Sequence, residues 1–335
     1  MNNKKLAMAA VLAMVGLMGS SAMAAEWQHG MFPTDTLKPW QVGATLGYEY
    51  QYRDAEMDIV NTVGGGYRTY KKTEKTSMNT LMMNTQLGLG YGLQLGMEFN
   101  AELAGSNEAH LSDGISFDST LTPNKNKDFS GFYNPTFSLR WDLVKAFADQ
   151  PRDVAFVLEY GYKPKDWADS SIAANAILRE HILDQPGEYG FDAHTIKAIG
   201  SAKVGSSRHY LGYVGEFNGK YDGYTNFWAD GYPGGYEVGD THSLVFGSEY
   251  AFSPSLSLGG DFTYSLIRGR DGFAGGFENA DFNIKLAYKA SNNLWIVPQV
   301  SLQRYGSRSY QEPMYLELSE SYYGVTTGLS LKAVF

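Results

Sequence analysis

The chain has no cysteine, and only 11 of its 335 residues are proline. The first absence excludes disulfides, thiol nucleophiles and thiolate metal centres. Charge is also scarce, at 19% of residues, and the basic share is the smaller: 27 Lys and Arg stand against 36 Asp and Glu. A net charge of −9 argues against a nucleic-acid partner, because phosphate backbones are held by clustered positive charge. Long apolar runs are missing beyond the first residues, and the mean hydropathy is −0.31. A helical membrane protein needs several stretches of roughly 20 apolar residues. What is abundant instead is tyrosine, with 24 residues, and glycine, with 38, more of both than an ordinary enzyme core carries.

The one apolar run opens the chain. Lys4 and Lys5 precede residues 6–18, all apolar or glycine, and Gly19, Ser20, Ser21 and Ala22-Met23-Ala24 follow. A short positive region, a brief apolar stretch and small residues at alternate positions make a secretory signal. Cleavage is expected after Ala24, so residues 1–24 form the signal peptide.

The rest of the chain has the period of strands. Trp40, Val42, Ala44, Leu46, Tyr48, Tyr50 and Tyr52 alternate with Gln41, Gly43, Thr45, Gly47, Glu49, Gln51 and Arg53. That run is longer than the five or six residues of a typical soluble strand. Similar runs centre on residues 81–89, 93–103, 137–143, 154–162, 191–204, 208–218, 244–252, 256–266, 282–288, 294–302 and 323–335, twelve in all. A soluble sandwich also alternates, but a tilted membrane strand needs roughly 9–11 residues, a length that all but 137–143 and 282–288 reach. Connection lengths decide between the two. Every second link is short (Gly90–Gly92, Val144–Asp153, Gly205–Ser207, Ser253–Ser255, Ala290–Asn293), and the others are long: 54–77, 104–131, 164–190, 219–240, 267–279 and 306–321. Short turns on one side and long loops on the other, with an even strand number, are the rule of outer-membrane barrels. The expected fold is therefore all-β: one closed antiparallel transmembrane β-barrel of about 12 strands over residues 40–335. Residues 25–39 precede it as a periplasmic segment, too short for a separate plug domain.

Aromatic residues fall where a barrel needs them. Trp40, Trp141, Phe252 and Phe335 sit at the inner ends of the outward rows, and Tyr50, Tyr52, Tyr162, Tyr264 and Tyr323 at or near the outer ends. Amphipathic rings favour the two water–lipid boundaries. On these residues, with a last strand ending in Phe335, the chain resembles Gram-negative outer-membrane β-barrels of the porin-like kind. That resemblance implies lipid and lipopolysaccharide contacts, and delivery by periplasmic chaperones to the barrel-assembly machinery, with Phe335 as the assembly signal. The stretch Gly131–Tyr162, ending in Lys163-Pro164, resembles the barrels grouped with meta-pathway phenol degradation, which implies a hydrophobic or aromatic solute.

Alternation places Glu49, Arg53, Glu98, Glu102, Arg140, Glu159, Lys163, Glu216, Glu249, Asp261, Lys285 and Lys289 on the inward face. A polar lumen suits a water-filled passage, although twelve strands lie between the filled eight-stranded and the open sixteen-stranded cases. The expected function is passive diffusion of a small solute; the alternative is a filled structural or adhesive barrel acting through its loops. With both signs present, no strong preference for anions or cations is expected. Two loop features stand out. Residues 168–184 read as one short helix, capped by Asp169 or Ser170, that narrows the mouth or packs on the rim. Tyr221, Tyr224, Phe227, Trp228, Tyr232 and Tyr236 crowd the loop 219–240 and are candidates to capture a ligand by stacking, or members of the outer girdle.

An outer-membrane lipid-modifying enzyme would need a Ser and a His on one face near the outer rim. His242 and Ser243 are adjacent and so point oppositely, and Ser207 and His209 fall beside a short turn at the other end. His29, His110, His181 and His194 form no ligand pair, and Asp271, Glu278 and Asp281 lack the spacing of a calcium loop. No catalytic residue, metal or cofactor is expected.

Overall fold

A computed structural model describes residues 33–63, 66–111, 127–147, 153–165, 192–221, 236–237, 240–268, 276–307, 310–312 and 315–335. The alternating runs form β1 (Val42–Val63), β2 (Gly66–Gly90), β3 (Leu93–Leu111), β4 (Thr136–Asp142), β5 (Val154–Lys163) and β6 (Ala193–Val204). They continue as β7 (Ser207–Asn218), β8 (Thr241–Ser253), β9 (Leu256–Arg268), β10 (Gly276–Ser291), β11 (Leu294–Ser307) and β12 (Tyr315–Val334). Each strand pairs with its sequence neighbour, and β12 returns to β1 in an antiparallel ladder running from Gly43↔Val334 to Asn61↔Tyr315. The seam is finished by the terminal residue: Phe335 and Val42 exchange backbone hydrogen bonds of 2.9 and 3.0 Å. The twelve-stranded closed barrel is thus as expected, and closure leaves no strand edge unpaired in lipid.

Alternation sorts the side chains into two environments. On β5, Val157 is 1% exposed while Phe156 and Leu158 beside it are 40% and 38% exposed. The outward rows Leu46-Tyr48-Tyr50-Tyr52, Leu258-Leu266 and Phe282-Ile284-Leu286-Tyr288 are likewise large, apolar and uncovered by protein. Such a band is what a hydrocarbon solvent would cover.

Three departures from the expected outline concern the connections. Much of 54–77, 104–131 and 306–321 is strand: β1 and β2 pair on to Val63↔Gly66, β3 reaches Leu111, and β12 begins at Tyr315. Residues there, such as Lys71-Lys72-Thr73-Glu74-Lys75, are polar on both faces, so backbone pairing continues where the alternation signal has ended. Secondly, the inner link between β4 and β5 holds a short helix, α1 (Leu143–Phe147). Asp142 starts it by accepting from the Lys145 amide at 3.0 Å, the usual task of an N-capping carboxylate. Thirdly, a short strand, Lys127–Phe132, extends the wall above β4 against β3, and Tyr133-Asn134-Pro135 separates the two. Proline cannot donate to the ladder, and β3 carries a register shift opposite, between Glu102 and Gly105. The helix expected over 168–184 and the signal peptide lie outside the described residues.

Candidate functional site: the barrel lumen

The twelve charged positions singled out above all fall on inward-facing strand positions. Their contacts divide them into two groups. Towards the end with the short turns, Glu159 accepts from Arg140 at 2.6 Å and from Lys197 at 2.8 Å. Glu249, only 3% exposed, accepts from Ser257 Oγ at 2.6 Å and has Arg208 Nη1 at 4.0 Å. Asp261 and Lys285 pair at 3.0 Å, and Lys289 Nζ stands 5.5 Å above the Trp295 ring.

Elsewhere the contacts run along the wall. Gln299 bonds Glu49, and Gln51 donates to Gln303 at 3.1 Å. Both pairs bridge from β1 to β11 over the intervening β12, where Gly328 and Gly324 leave room: a Cβ at Gly328 would lie 3.0 Å from the Glu49 side chain. Glu98 is bonded by Asn100 at 2.9 Å. Glu102 is buried where β3 shifts register, accepting from the Asn79 amide at 2.7 Å and from the Thr80 and Tyr133 hydroxyls at 3.1 Å each. Lys163 and Glu216 stand 3.8 Å apart, and Arg53 is buried.

The largest difference from expectation is the segment before β1. Expected to lie in the periplasm, its described part, residues 33–39, is instead folded into the short-turn end of the lumen. Asp35 is paired with Arg208 (Nη2–Oδ1 2.5 Å, Nη1–Oδ2 3.3 Å), and Arg140 donates to its backbone oxygen at 3.2 Å. Thr34 Oγ1 meets Ser201 Oγ at 2.7 Å, and Lys145 Nζ of α1 reaches the carbonyls of Thr36 and Leu37, each at 3.1 Å. The Leu37 amide donates to Gln94 at 3.0 Å. Its side chain completes a cluster with Ala287, Trp295, Val297 and Val334, each at most 2% exposed. Partners on β3, β4, β6, β7, β10, β11 and β12 can all meet one short segment only if it lies inside the barrel. Gly88 lets it lie close: a Cβ there would be 2.1 Å from the Lys38 carbonyl oxygen.

Burial shapes the charges of this segment and its anchor. It pushes the Asp35 carboxyl above its ordinary range, with Arg208 opposing that shift. It lowers the Lys145 ammonium, with Asp142 opposing.

Sequence reasoning missed Asp35, Lys197, Arg208 and Lys332. The last three stand on inward positions of their strands, so alternation alone could have found them. Trp295 and Val297 carried no such signal, because an apolar residue on an inward position interrupts the pattern that defines the face, and Leu37 precedes the first strand and has no face to belong to. Of the loop aromatics, Tyr221 and Tyr236 are in register across a two-residue ladder; Tyr224, Phe227, Trp228 and Tyr232 lie outside the described residues. His242 bonds the Tyr213 hydroxyl at 2.6 Å while Ser243 bonds Ser265 at 2.7 Å, so these neighbours engage separate partners. His209 meets Ser248 at 2.7 Å on the outward side.

No protein-family model matches the chain, and no curated protein matches it. Among solved structures, the COG4313 outer membrane channel from Pseudomonas putida F1 is similar, with a TM-score of 0.51 and 12% identity over 90% of this chain and 98% of that one. The CymD monoaromatic hydrocarbon channel has a TM-score of 0.42 at 11% identity, covering 94% of each chain. A FadL homologue of Pseudomonas aeruginosa has a TM-score of 0.41 at 11% identity, covering 94% of this chain and 99% of its own. The first likeness establishes a shared fold, that of an outer-membrane β-barrel.

Proposed function

We propose that the protein is an outer-membrane facilitator for passive entry of a small solute with apolar or aromatic character. The observation that carries this reading is what lies inside the inner end of the lumen. Residues 33–38 sit there, pairing with side chains of the wall and adding no strand to the barrel. A stopper of this kind can move without breaking a single ladder, whereas a barrel filled for rigidity alone has no need of one. The apolar residues at the stop, Leu37, Trp295, Val297 and Val334, favour a solute with an apolar body. The fold shared with an outer membrane channel and the resemblance of Gly131–Tyr162 to phenol-pathway barrels support the same reading.

Export by the signal peptide, contacts with lipid and lipopolysaccharide, and delivery of the Phe335 strand by chaperones to the assembly machinery belong to it. The bonding of Phe335 to Val42 at the seam gives the terminal residue a structural reason to matter. Planar-bilayer conductance of the refolded mature chain, alone and with Gly88→Ala, tests the proposal. The substitution forces the segment off the wall, so conductance should rise clearly above that of the unaltered chain. Silence from both proteins would make this a filled barrel.

A further inference from the structure

Residues 35–37 present two chemical groups to the barrel wall: a carboxylate and, two residues along, a branched apolar side chain. The wall answers each. Arg208 takes the Asp35 carboxylate with both terminal nitrogens, the fork geometry that suits a planar carboxylate. Arg140 on β4 donates to the Asp35 backbone oxygen at 3.2 Å, and the Lys332 charge on β12 attracts the carboxylate. Ala287, Trp295, Val297 and Val334 take Leu37. The receiving groups all belong to strands of the barrel, and the groups received belong to a segment outside it.

We propose that this part of the lumen is a binding site for a small solute carrying one carboxylate on an apolar body, and that Asp35 and Leu37 are its built-in placeholder, displaced when such a solute arrives. The inference rests on reading the barrel as a solute passage and names the solute class. Charge supports it. Among the described residues, the carboxylates besides Asp35 that form ion pairs with Arg140, Lys197 and Arg208 are Glu159 and Glu249, three cations against two acids, so the site attracts an anion. Glu249, 4.0 Å from Arg208, disfavours a second negative charge, which selects a monoanion over a phosphate dianion. A neutral aromatic molecule fits the apolar half alone. To displace the segment it would break the Arg208–Asp35 pair without replacing it, a costly exchange. The raised position of the Asp35 carboxyl agrees with a placeholder held less firmly than its ion pair suggests.

The test is calorimetric titration of the full mature chain in detergent with phenylacetate, its neutral counterpart 2-phenylethanol, and acetate, alongside bilayer conductance. Phenylacetate should bind at least about tenfold more tightly than either of the others and should raise conductance. Asp35→Ala removes the competitor and should strengthen phenylacetate binding; Arg208→Gln should weaken it about tenfold or more. Equal binding of phenylacetate and 2-phenylethanol, or phenylacetate binding unchanged by Asp35→Ala, would overturn the proposal even if Arg208→Gln failed to fold. Conductance from Gly88→Ala without phenylacetate binding sinks the site and leaves the passage standing. Selective binding in a barrel that never conducts sinks the passage and leaves the site.

Discussion

Two regions of the lumen use similar residues in different ways. Along β1, β12 and β11, Glu49, Gln51, Gln299 and Gln303 bond one another across Gly324 and Gly328 of the strand between them, so the side chains lie along the wall. Near the short turns, Asp35, Arg208, Arg140 and Glu159 join the wall to an inserted segment, over an apolar cluster that water does not reach. Polar groups that lie along a wall leave the middle of a barrel to solvent. Polar groups that meet a separate piece of chain close it. Polarity of the lining therefore does not say whether a barrel is open; what decides is whether something stands opposite to be bonded.

That contrast can be broken at several points. The largest effect is expected at Glu159, which is 8% exposed and holds both Arg140 and Lys197. Glu159→Ala strands two cations and should cost roughly 3–5 kcal/mol in urea unfolding from lipid vesicles; a loss under about 1 kcal/mol would mean that water reaches this depth. Next is Leu37→Ala, which empties the centre of the apolar cluster. It should weaken docking of the segment by roughly 2–5 kcal/mol, read as raised conductance with little change in barrel unfolding. If barrel unfolding shifts instead, the segment is part of the core rather than a stopper.

A pH series probes the same closure more gently. The Asp35 carboxyl is raised by burial in the docked state, against Arg208, with Glu249 adding to the rise and Arg140 opposing it; Lys332 faces it too. A group raised on docking binds its proton more tightly when docked, so docking is favoured at low pH and weakened as pH climbs through the docked value. Conductance should accordingly fall on acidification and recover above it, and Asp35→Asn should flatten the profile; the opposite slope would show that the Arg208 pair dominates. The smallest effect belongs to the other end. Glu216 is 38% exposed and stands 3.8 Å from Lys163, so Glu216→Gln should change stability by no more than about 0.5 kcal/mol.

How much of this was legible in the chain follows from the range over which each signal acts. Leu46-Tyr48-Tyr50-Tyr52 against Glu49-Gln51-Arg53 reports a strand with lipid on one side, because neighbouring residues point to opposite faces whatever the rest of the fold does. The outer strand ends were not legible, since past Arg53 the apolar positions of β1 (Ala55, Met57, Ile59) change parity and β2 before Ser77 has no apolar row to mark it. The inward acids and bases were legible as a set; their partners were not. Glu159 meeting Lys197 follows from register, whereas Arg208 meeting Asp35 joins residues far apart in the chain with no strand pairing between them.

The amino-acid order by itself therefore determined the strand number, the two faces, the even closure and the polar character of the interior, all of them consequences of a period of two and of short turns. Only the tertiary structure decided that residues 33–39 turn into the lumen, that Trp295 and Val297 are core rather than errors of pattern, and that Asp35 meets Arg208 there. Those outcomes depend on what stands across the barrel, at a distance that no local periodicity encodes.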